Sequence, residues 1–166
     1  SYGGMVVTGV ADRFPQRIRS LIYLDAFVPA NGQSLADLAP PPAWEAQMSG
    51  AASQGGGIAI PPFPAEMMGV RAEHRDRVDR LCSPQPLATQ VERLVLSGGV
   101  DNVPYKAYLY ADGWNNFGGF AAHLPAYRAK GFHVEEIACG HDIMIDAPGE
   151  LADFLVRVAR LSQDRL

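Results

Sequence analysis

The chain has 166 residues, of which 48% are hydrophobic and 19% are charged, and this is enough apolar material for the core of one domain. A formal net charge of −4 argues against nucleic acid as a partner, because a nucleic-acid-binding protein needs a basic face. No apolar run approaches the roughly 18 residues that cross a bilayer, so we expect no membrane insertion. Cys82 and Cys139 match neither a disulfide framework nor a metal-binding spacing, which predicts free thiols, no bound metal and a reducing, cytoplasmic location.

The chain opens on Ser1-Tyr2-Gly3-Gly4, and apolar residues follow at helical spacing. This pattern predicts a helix whose first turn carries an exposed serine. Ser1, Tyr2 and Gly3 match the last three positions of G-x-S-x-G, the sharp strand-to-helix turn that presents a nucleophilic serine. The first glycine of that motif and the strand before it would lie upstream of residue 1. We therefore expect the sequence to be the C-terminal part of a longer protein, beginning on its nucleophile.

Three further segments have the composition of short buried strands, within residues 17–29, 106–111 and 132–138. The first contains Leu21-Ile22-Tyr23-Leu24, a run that is apolar on both faces. Such runs are typical of parallel strands that helices cover on both sides. The sequence therefore predicts a parallel sheet.

Helices are predicted between these strands and after the last one. One covers residues 117–130. Another begins after Asp146, which we expect to cap it, and has Pro148 in its first turn. The last helix carries an apolar stripe at helical spacing, formed by Leu151, Phe154, Leu155 and Val158. Strands that alternate with helices predict an α/β fold, with helices flanking the parallel sheet.

Between residues 33 and 103 the composition changes to segments rich in proline and glycine, such as Pro40-Pro41-Pro42 and Gly55-Gly56-Gly57. A long excursion between two core strands predicts a lid. The single domain then divides into the nucleophile helix with its following strand (1–32), the lid or cap (33–103), and the C-terminal strands and helices (104–166).

The apolar residues of the lid have two interpretations, which remain open at this point. They line a substrate pocket, or they only pack the lid onto the core. Under the first interpretation, we expect Trp44 and Met68 in the lid to line the pocket together with Trp114.

Polar residues follow each predicted strand, and the carboxyl ends of parallel strands meet at one edge of a sheet. Asp25, Asp112 and His141 occupy these positions. Acyl transfer needs a hydroxyl close to an imidazole that a carboxylate orients, and the chain order Ser, Asp, His suits it. We therefore predict Ser1 as nucleophile and His141 as general base. We favour Asp112 as the acid because it ends the penultimate strand, and Asp25 is the alternative.

Three stretches together resemble small bacterial α/β-fold esterases related to the plant hydroxynitrile lyase and methylesterase group. They are Ser1-Tyr2-Gly3-Gly4-Met5, residues 23–29 with 31–34, and Cys139-Gly140-His141-Asp142 with Met144. The resemblance implies the C-terminal part of an α/β-hydrolase fold. It implies hydrolysis of a carboxylic ester through an acyl-serine intermediate. The lid, and Trp114 close to the favoured acid, predict that this ester is small and fairly apolar. We expect no cofactor, because the sequence has neither a metal-ligand cluster nor a glycine-rich phosphate loop. The backbone N–H of Tyr2 would form half of the oxyanion hole. We expect these 166 residues to be inactive when isolated from the rest of such an enzyme.

Two alternatives accompany this interpretation. The first is a hydroxynitrile-lyase-like enzyme. Lyases of the group carry a lysine directly after the catalytic histidine, whereas this chain has Asp142 there, which argues against this alternative. A non-catalytic small-molecule-binding protein of the same fold is the second alternative. The complete set of serine, aspartate and histidine argues against it.

Overall fold

The computed structural model describes residues 1–115 and 117–163. Its strands are β1 (Ser20–Leu24), β2 (Ala59–Ile60), β3 (Gln85–Pro86), β4 (Tyr105–Ala111) and β5 (His133–Ile137). Its α-helices are α1 (Gly3–Arg13), α2 (Leu35–Leu38), α3 (Pro41–Gln54), α4 (Ala72–Leu81), α5 (Leu87–Val91), α6 (Leu124–Ala129), α7 (Ile143–Asp146) and α8 (Pro148–Gln163). Short 3₁₀ turns occupy Pro15–Arg17, Gly99–Asn102 and Phe120–His123. None of the helices in these described ranges combines the length and apolar character needed to cross a bilayer.

The central sheet consists of β1, β4 and β5 in the order β1-β4-β5, and both pairings are parallel. Strand β4 lies in the middle and is buried on both faces. On one face Tyr108 and Tyr110 join a cluster with residues of α1 and α6. On the other, Leu109 and Ala111 pack with Phe154 and its neighbours in α8. The predicted parallel sheet flanked by helices is therefore confirmed.

Some element boundaries differ from the prediction. The helix expected over residues 117–130 forms only as a 3₁₀ turn at Phe120–His123 followed by α6, because Gly119 adopts a left-handed backbone with φ +72°. Asp146 ends the short helix α7 and does not cap α8. Helix α8 does begin at Pro148, and its expected stripe is buried except for Leu155, which is 38% exposed.

The excursion between β1 and β4 carries more regular structure than its proline and glycine content suggests. Helices α2 to α5 lie within it, together with a two-stranded antiparallel pair formed by β2 and β3. Helix α2 begins with a capping box, in which the Ser34 hydroxyl and the Asp37 carboxylate each accept a backbone N–H of the other residue. The long helix α3 starts with prolines in its first turn, where no intrahelical donor is lost.

Helix α1 docks tightly against the loop that follows β1. Gly4 is buried, and a Cβ atom at this position would collide with the carbonyl of Phe27. The Phe27 N–H also donates to the Ser1 carbonyl at 3.2 Å. Only a residue without a side chain allows the two backbones to approach this closely. The first turn of α1 is thus held at the carboxyl edge of the sheet.

Replacing Gly4 by alanine should therefore destabilise the protein by about 1–3 kcal/mol, the usual cost of forcing extra atoms into a packed site. Gly3→Ala is the matched control, because nothing lies within 4 Å of a Cβ built there. Gly3 is the first residue of α1, so this control substitution should change the stability by less than about 0.5 kcal/mol. Denaturant unfolding of both variants measures the difference, and equal stabilities would contradict the close docking of α1.

Candidate active site

Asp25 lies directly after β1 and is completely buried. Its backbone is left-handed, with φ +42°, which is strained for a residue other than glycine. The Asp25 N–H donates to the Leu109 carbonyl at 2.8 Å, so the strained residue is fixed to the neighbouring strand β4. The Ala111 N–H donates to Asp25 Oδ1 at 3.3 Å, and the Trp114 indole N–H donates to Asp25 Oδ2 at 3.0 Å. A buried carboxylate needs such donors to offset the loss of hydration.

The imidazole of His141 completes this set of contacts. His141 follows β5 and is buried, and its Nδ1 lies 2.7 Å from Asp25 Oδ2. Because a carboxylate only accepts hydrogen bonds, the Nδ1–H of His141 is the donor in this pair, and Nε2 is the ring nitrogen that faces Ser1. The backbone nitrogen of Ser1 lies 3.5 Å from Nε2. The structure thus brings Ser1, His141 and Asp25 together.

Asp112, the favoured acid, lies elsewhere. The Asp112 N–H donates to the Ile137 carbonyl at 3.0 Å, which extends the pairing of β4 with β5 by one residue and leaves the Asp112 side chain exposed. The next residue, Gly113, donates its N–H to the Cys139 carbonyl at 3.0 Å. The contact with the imidazole therefore belongs to Asp25, the alternative acid. The left-handed backbone at Asp25 and the continued pairing of Asp112 with β5 determine which of the two carboxylates contacts the imidazole.

Tyr2, the candidate oxyanion-hole residue, lies at the amino end of α1 with helical backbone angles of φ −60° and ψ −31°. The first N–H groups of a helix have no carbonyl partner within the helix. The N–H of Tyr2 therefore belongs to the donors at this helix end, next to Ser1, where the helix dipole also favours negative charge.

A cavity of about 50 Å³ opens beside Ser1 and His141. Most of its walls are apolar, and several come from the lid; the described residues that line it are Ser1, Phe27, Ala39, Ala43, Gln47, Phe63, Met68, Trp114, Phe117, Gly118, Phe120 and His141. Trp114 packs against the His141 ring with 4.8 Å between ring centroids. Aromatic side chains from the lid and from the loop after β4 meet in the wall, because Phe63 contacts Phe117 at a centroid distance of 4.9 Å.

Two of the three expected pocket residues, Met68 and Trp114, line this cavity. Trp44 does not belong to the described lining and is half-buried on α3. The reason is the phase of that helix. Ala43 faces the cavity, and the next residue is turned about 100° around the helix axis. Gln47 also lines the cavity and was not among the expected pocket residues, although its position one helical turn after Ala43 places both on one face of α3.

A turn of the lid is attached to the loop that carries the histidine. The His141 N–H donates to the Met68 carbonyl at 2.9 Å, and the Arg71 N–H donates to both oxygens of the buried Asp146 carboxylate at 3.2 Å. Between these two bonds, Gly69 has φ +73°, and a Cβ atom there would press on Trp114. The residues 65–71, which we call the anchored turn, thus connect the cavity wall to His141.

Other reactive groups near the site are less suited to chemistry. Burial raises the pKa of the Cys139 thiol to about 11, so the thiol stays protonated near neutral pH and is a poor nucleophile. Within residues 1–115 and 117–163, no three His, Cys, Asp or Glu side chains are grouped so that they could hold a metal ion. Cys82 is an exposed free thiol.

Comparison with known proteins identifies a clear relative. The chain is 47% identical over 164 residues to the carbendazim hydrolysing esterase of Nocardioides sp. (strain SG-4G), covering 93% of this chain and 67% of that protein. No family model matches the sequence.

Solved structures give the same result for the fold. One is an extracellular α/β-hydrolase from a Paenibacillus species, with a TM-score of 0.78 and 25% sequence identity. The match covers 95% of this chain and 69% of the Paenibacillus protein, which is described as sharing structural and functional homology with tobacco salicylic acid binding protein 2. A pyrethroid hydrolase from Sphingobium faniae JZ-2 has a TM-score of 0.72 and 17% identity, over 96% and 68%. The resemblance noted in the sequence is confirmed: the chain belongs to the α/β-hydrolase family, among the carboxylic ester hydrolases related to the plant methylesterase group.

Proposed function

We propose that the protein hydrolyses small, fairly apolar carboxylic esters through an acyl-enzyme intermediate on Ser1. His141 serves as general base and then general acid, and Asp25 orients the imidazole. The observation that carries the proposal is the contact of the buried Asp25 carboxylate with His141 Nδ1 at 2.7 Å, with the backbone nitrogen of Ser1 3.5 Å from Nε2 of the same ring, in the wall of an apolar cavity. These contacts support a catalytic triad of the kind that serine hydrolases use, in which the Ser1 hydroxyl is the nucleophile.

In the acylation step, the Ser1 hydroxyl attacks the ester carbonyl while His141 Nε2 accepts its proton. The resulting imidazolium donates that proton to the departing alcohol. The buried Asp25 carboxylate favours the imidazolium, since the two charges are in contact at 2.7 Å and shielded from water. The N–H of Tyr2 stabilises the negative oxygen of the tetrahedral intermediate.

In the second step, water attacks the acyl-serine ester and His141 Nε2 accepts the proton of that water. Collapse of the second tetrahedral intermediate breaks the bond to Ser1, whose oxygen regains a proton from the imidazolium. The free carboxylic acid leaves. The apolar walls favour substrates with small, uncharged groups, because a cavity of about 50 Å³ lacks room for a large acyl chain.

The first test uses a fluorophosphonate probe, which labels activated serines, on the intact protein. Ser1 should be labelled, and both Ser1→Ala and His141→Ala should abolish the labelling, because the serine is activated only by the neighbouring imidazole. Mass spectrometry of the labelled peptide identifies the site. No labelling of Ser1, or labelling that persists unchanged in His141→Ala, would overturn the triad.

Turnover is tested in parallel with small p-nitrophenyl esters and with carbendazim, the compound named for the Nocardioides relative. The proposal expects saturable hydrolysis of the small esters that Ser1→Ala removes, and turnover of carbendazim would extend the substrate range to that of the relative. Tight binding of such compounds without any turnover by the wild-type protein would instead indicate a non-catalytic binding protein of this fold.

The choice of acid gives a second, independent prediction. Asp25→Asn should lower kcat by about 10⁴-fold, because the neutral amide does not stabilise the imidazolium and its NH₂ group can donate to Nδ1, which favours the wrong tautomer of the ring. Asp112→Asn is the matched control, and since the Asp112 side chain is exposed, we expect kcat within about 2-fold of wild type. Thermal melts check that both variants fold. The reverse order of effects would assign the role to Asp112.

A further inference from the structure

The cavity beside Ser1 and His141 contains one polar side chain that the proposed chemistry does not use. Ser1 and His141 have their roles in the triad, and the indole N–H of Trp114 is already donated to Asp25. The remaining one among the described lining residues is Gln47. The carbonyl oxygen Oε1 of Gln47 is buried and has no hydrogen-bond partner among the described residues.

Gln47 lies within an otherwise apolar face of helix α3. Ala43 and Ala51, one turn before and one turn after Gln47, are both buried. These three positions follow one another at a spacing of four residues, so they share one face of the helix. An apolar residue at position 47 would continue this face without cost. The glutamine instead places an amide in the wall of the cavity.

A buried carbonyl without a partner is unfavourable, and native proteins rarely leave one so unless a ligand or water completes it. Water can occupy the cavity when it is empty of substrate. A substrate with a hydrogen-bond donor satisfies Oε1 when it displaces that water, whereas a fully apolar substrate leaves Oε1 unpaired. A site of this kind discriminates strongly against the analogue that lacks the donor.

We propose that Gln47 determines substrate specificity, with its side-chain carbonyl accepting a hydrogen bond from an O–H or N–H group of the ester. The preferred substrates are then small esters that are apolar except for one hydrogen-bond donor. This inference rests on the proposed hydrolase function, because the donor must lie in the same cavity as the reacting ester. It adds a substrate class to that function.

Three pairs of esters test the proposal, each differing by a hydroxyl in place of a methyl group. The first pair is ethyl lactate and ethyl isobutyrate, and the second is ethyl β-hydroxybutyrate and ethyl isovalerate. The third pair is the 2-hydroxypropyl and isobutyl esters of isobutyric acid. For each pair, the ratio of kcat/KM values is measured with the wild type and with Gln47→Met. Comparing the two ratios removes the intrinsic reactivity of the esters.

In at least one pair, the preference for the hydroxyl ester should fall about 10-fold in Gln47→Met, the size expected for one buried hydrogen bond. Gln54→Met is the matched control, because Gln54 is exposed at the end of the same helix, and it should leave every ratio unchanged. Ratios that differ by less than about 2-fold between wild type and Gln47→Met in all three pairs would overturn the proposal.

A binding measurement separates this inference from the hydrolase proposal. Dissociation constants of the same esters are measured by calorimetry in Ser1→Ala and in the double variant Ser1→Ala/Gln47→Met. If the wild type hydrolyses none of the esters but binding shows the 10-fold coupling, the hydrolase proposal fails and the role of Gln47 stands. If hydrolysis occurs without coupling in either measurement, the role of Gln47 fails alone.

The stability of the variant distinguishes recognition from a structural role. Because Oε1 has no partner among the described residues, Gln47→Met should leave Tm unchanged or raise it. A decrease of several degrees would show that the amide supports the fold and would count against the proposal. Gln47→Leu serves as a second variant if the methionine side chain packs poorly, and it should show the same loss of discrimination.

Discussion

The hydrogen bonds to the buried carboxylate of Asp25 hold the functional edge of the molecule together. A charge removed from water is tolerated in a protein interior only when donors surround it. Here those donors are the N–H of Ala111, the indole of Trp114 and the imidazole of His141. They come from the end of β4 and from the loops after β4 and β5. The same interactions therefore solvate the charge, align the histidine and fix the positions of these segments, so stability and chemistry depend on each other at this edge.

The cavity beside Ser1 and His141 is mostly apolar, and this explains how a few polar groups can determine which ligand binds there. Its walls are formed mainly by aromatic and small apolar residues, and Trp114 and Phe120 lie against the imidazole ring, with centroid distances of 4.8 and 6.0 Å. In such surroundings each remaining dipole acts more strongly than it would in water. A single amide such as that of Gln47 can consequently influence which ligand fits, although it contributes only a small part of the surface.

The sequence allowed the parallel sheet, its flanking helices and the candidate residues at the strand ends to be predicted, because buried strands and helical stripes leave periodic patterns. It did not reveal which aspartate meets His141. That choice depends on the left-handed backbone of Asp25 and on a donor, Trp114, that lies far away along the chain. The position of Trp44 outside the described cavity lining depends on the phase of α3, which proline-rich flanking sequence does not define. The sequence pattern within one helix or strand was thus enough to predict that element, whereas the side-chain contacts between elements could not be predicted from it.

The anchored turn, residues 65–71, has a consequence for how proteins of this kind diversify. The Met68 carbonyl accepts the N–H of His141, and Met68 also lines the cavity, so one short segment both shapes the pocket and supports the histidine. An insertion or deletion there that enlarged the pocket would at the same time displace the imidazole. Substitutions in α3 are therefore a simpler way to change the range of substrates, because this helix lines the cavity through Ala43 and Gln47 and lies outside the anchored turn. Evolution and protein engineering alike can vary that helix while the turn stays constant.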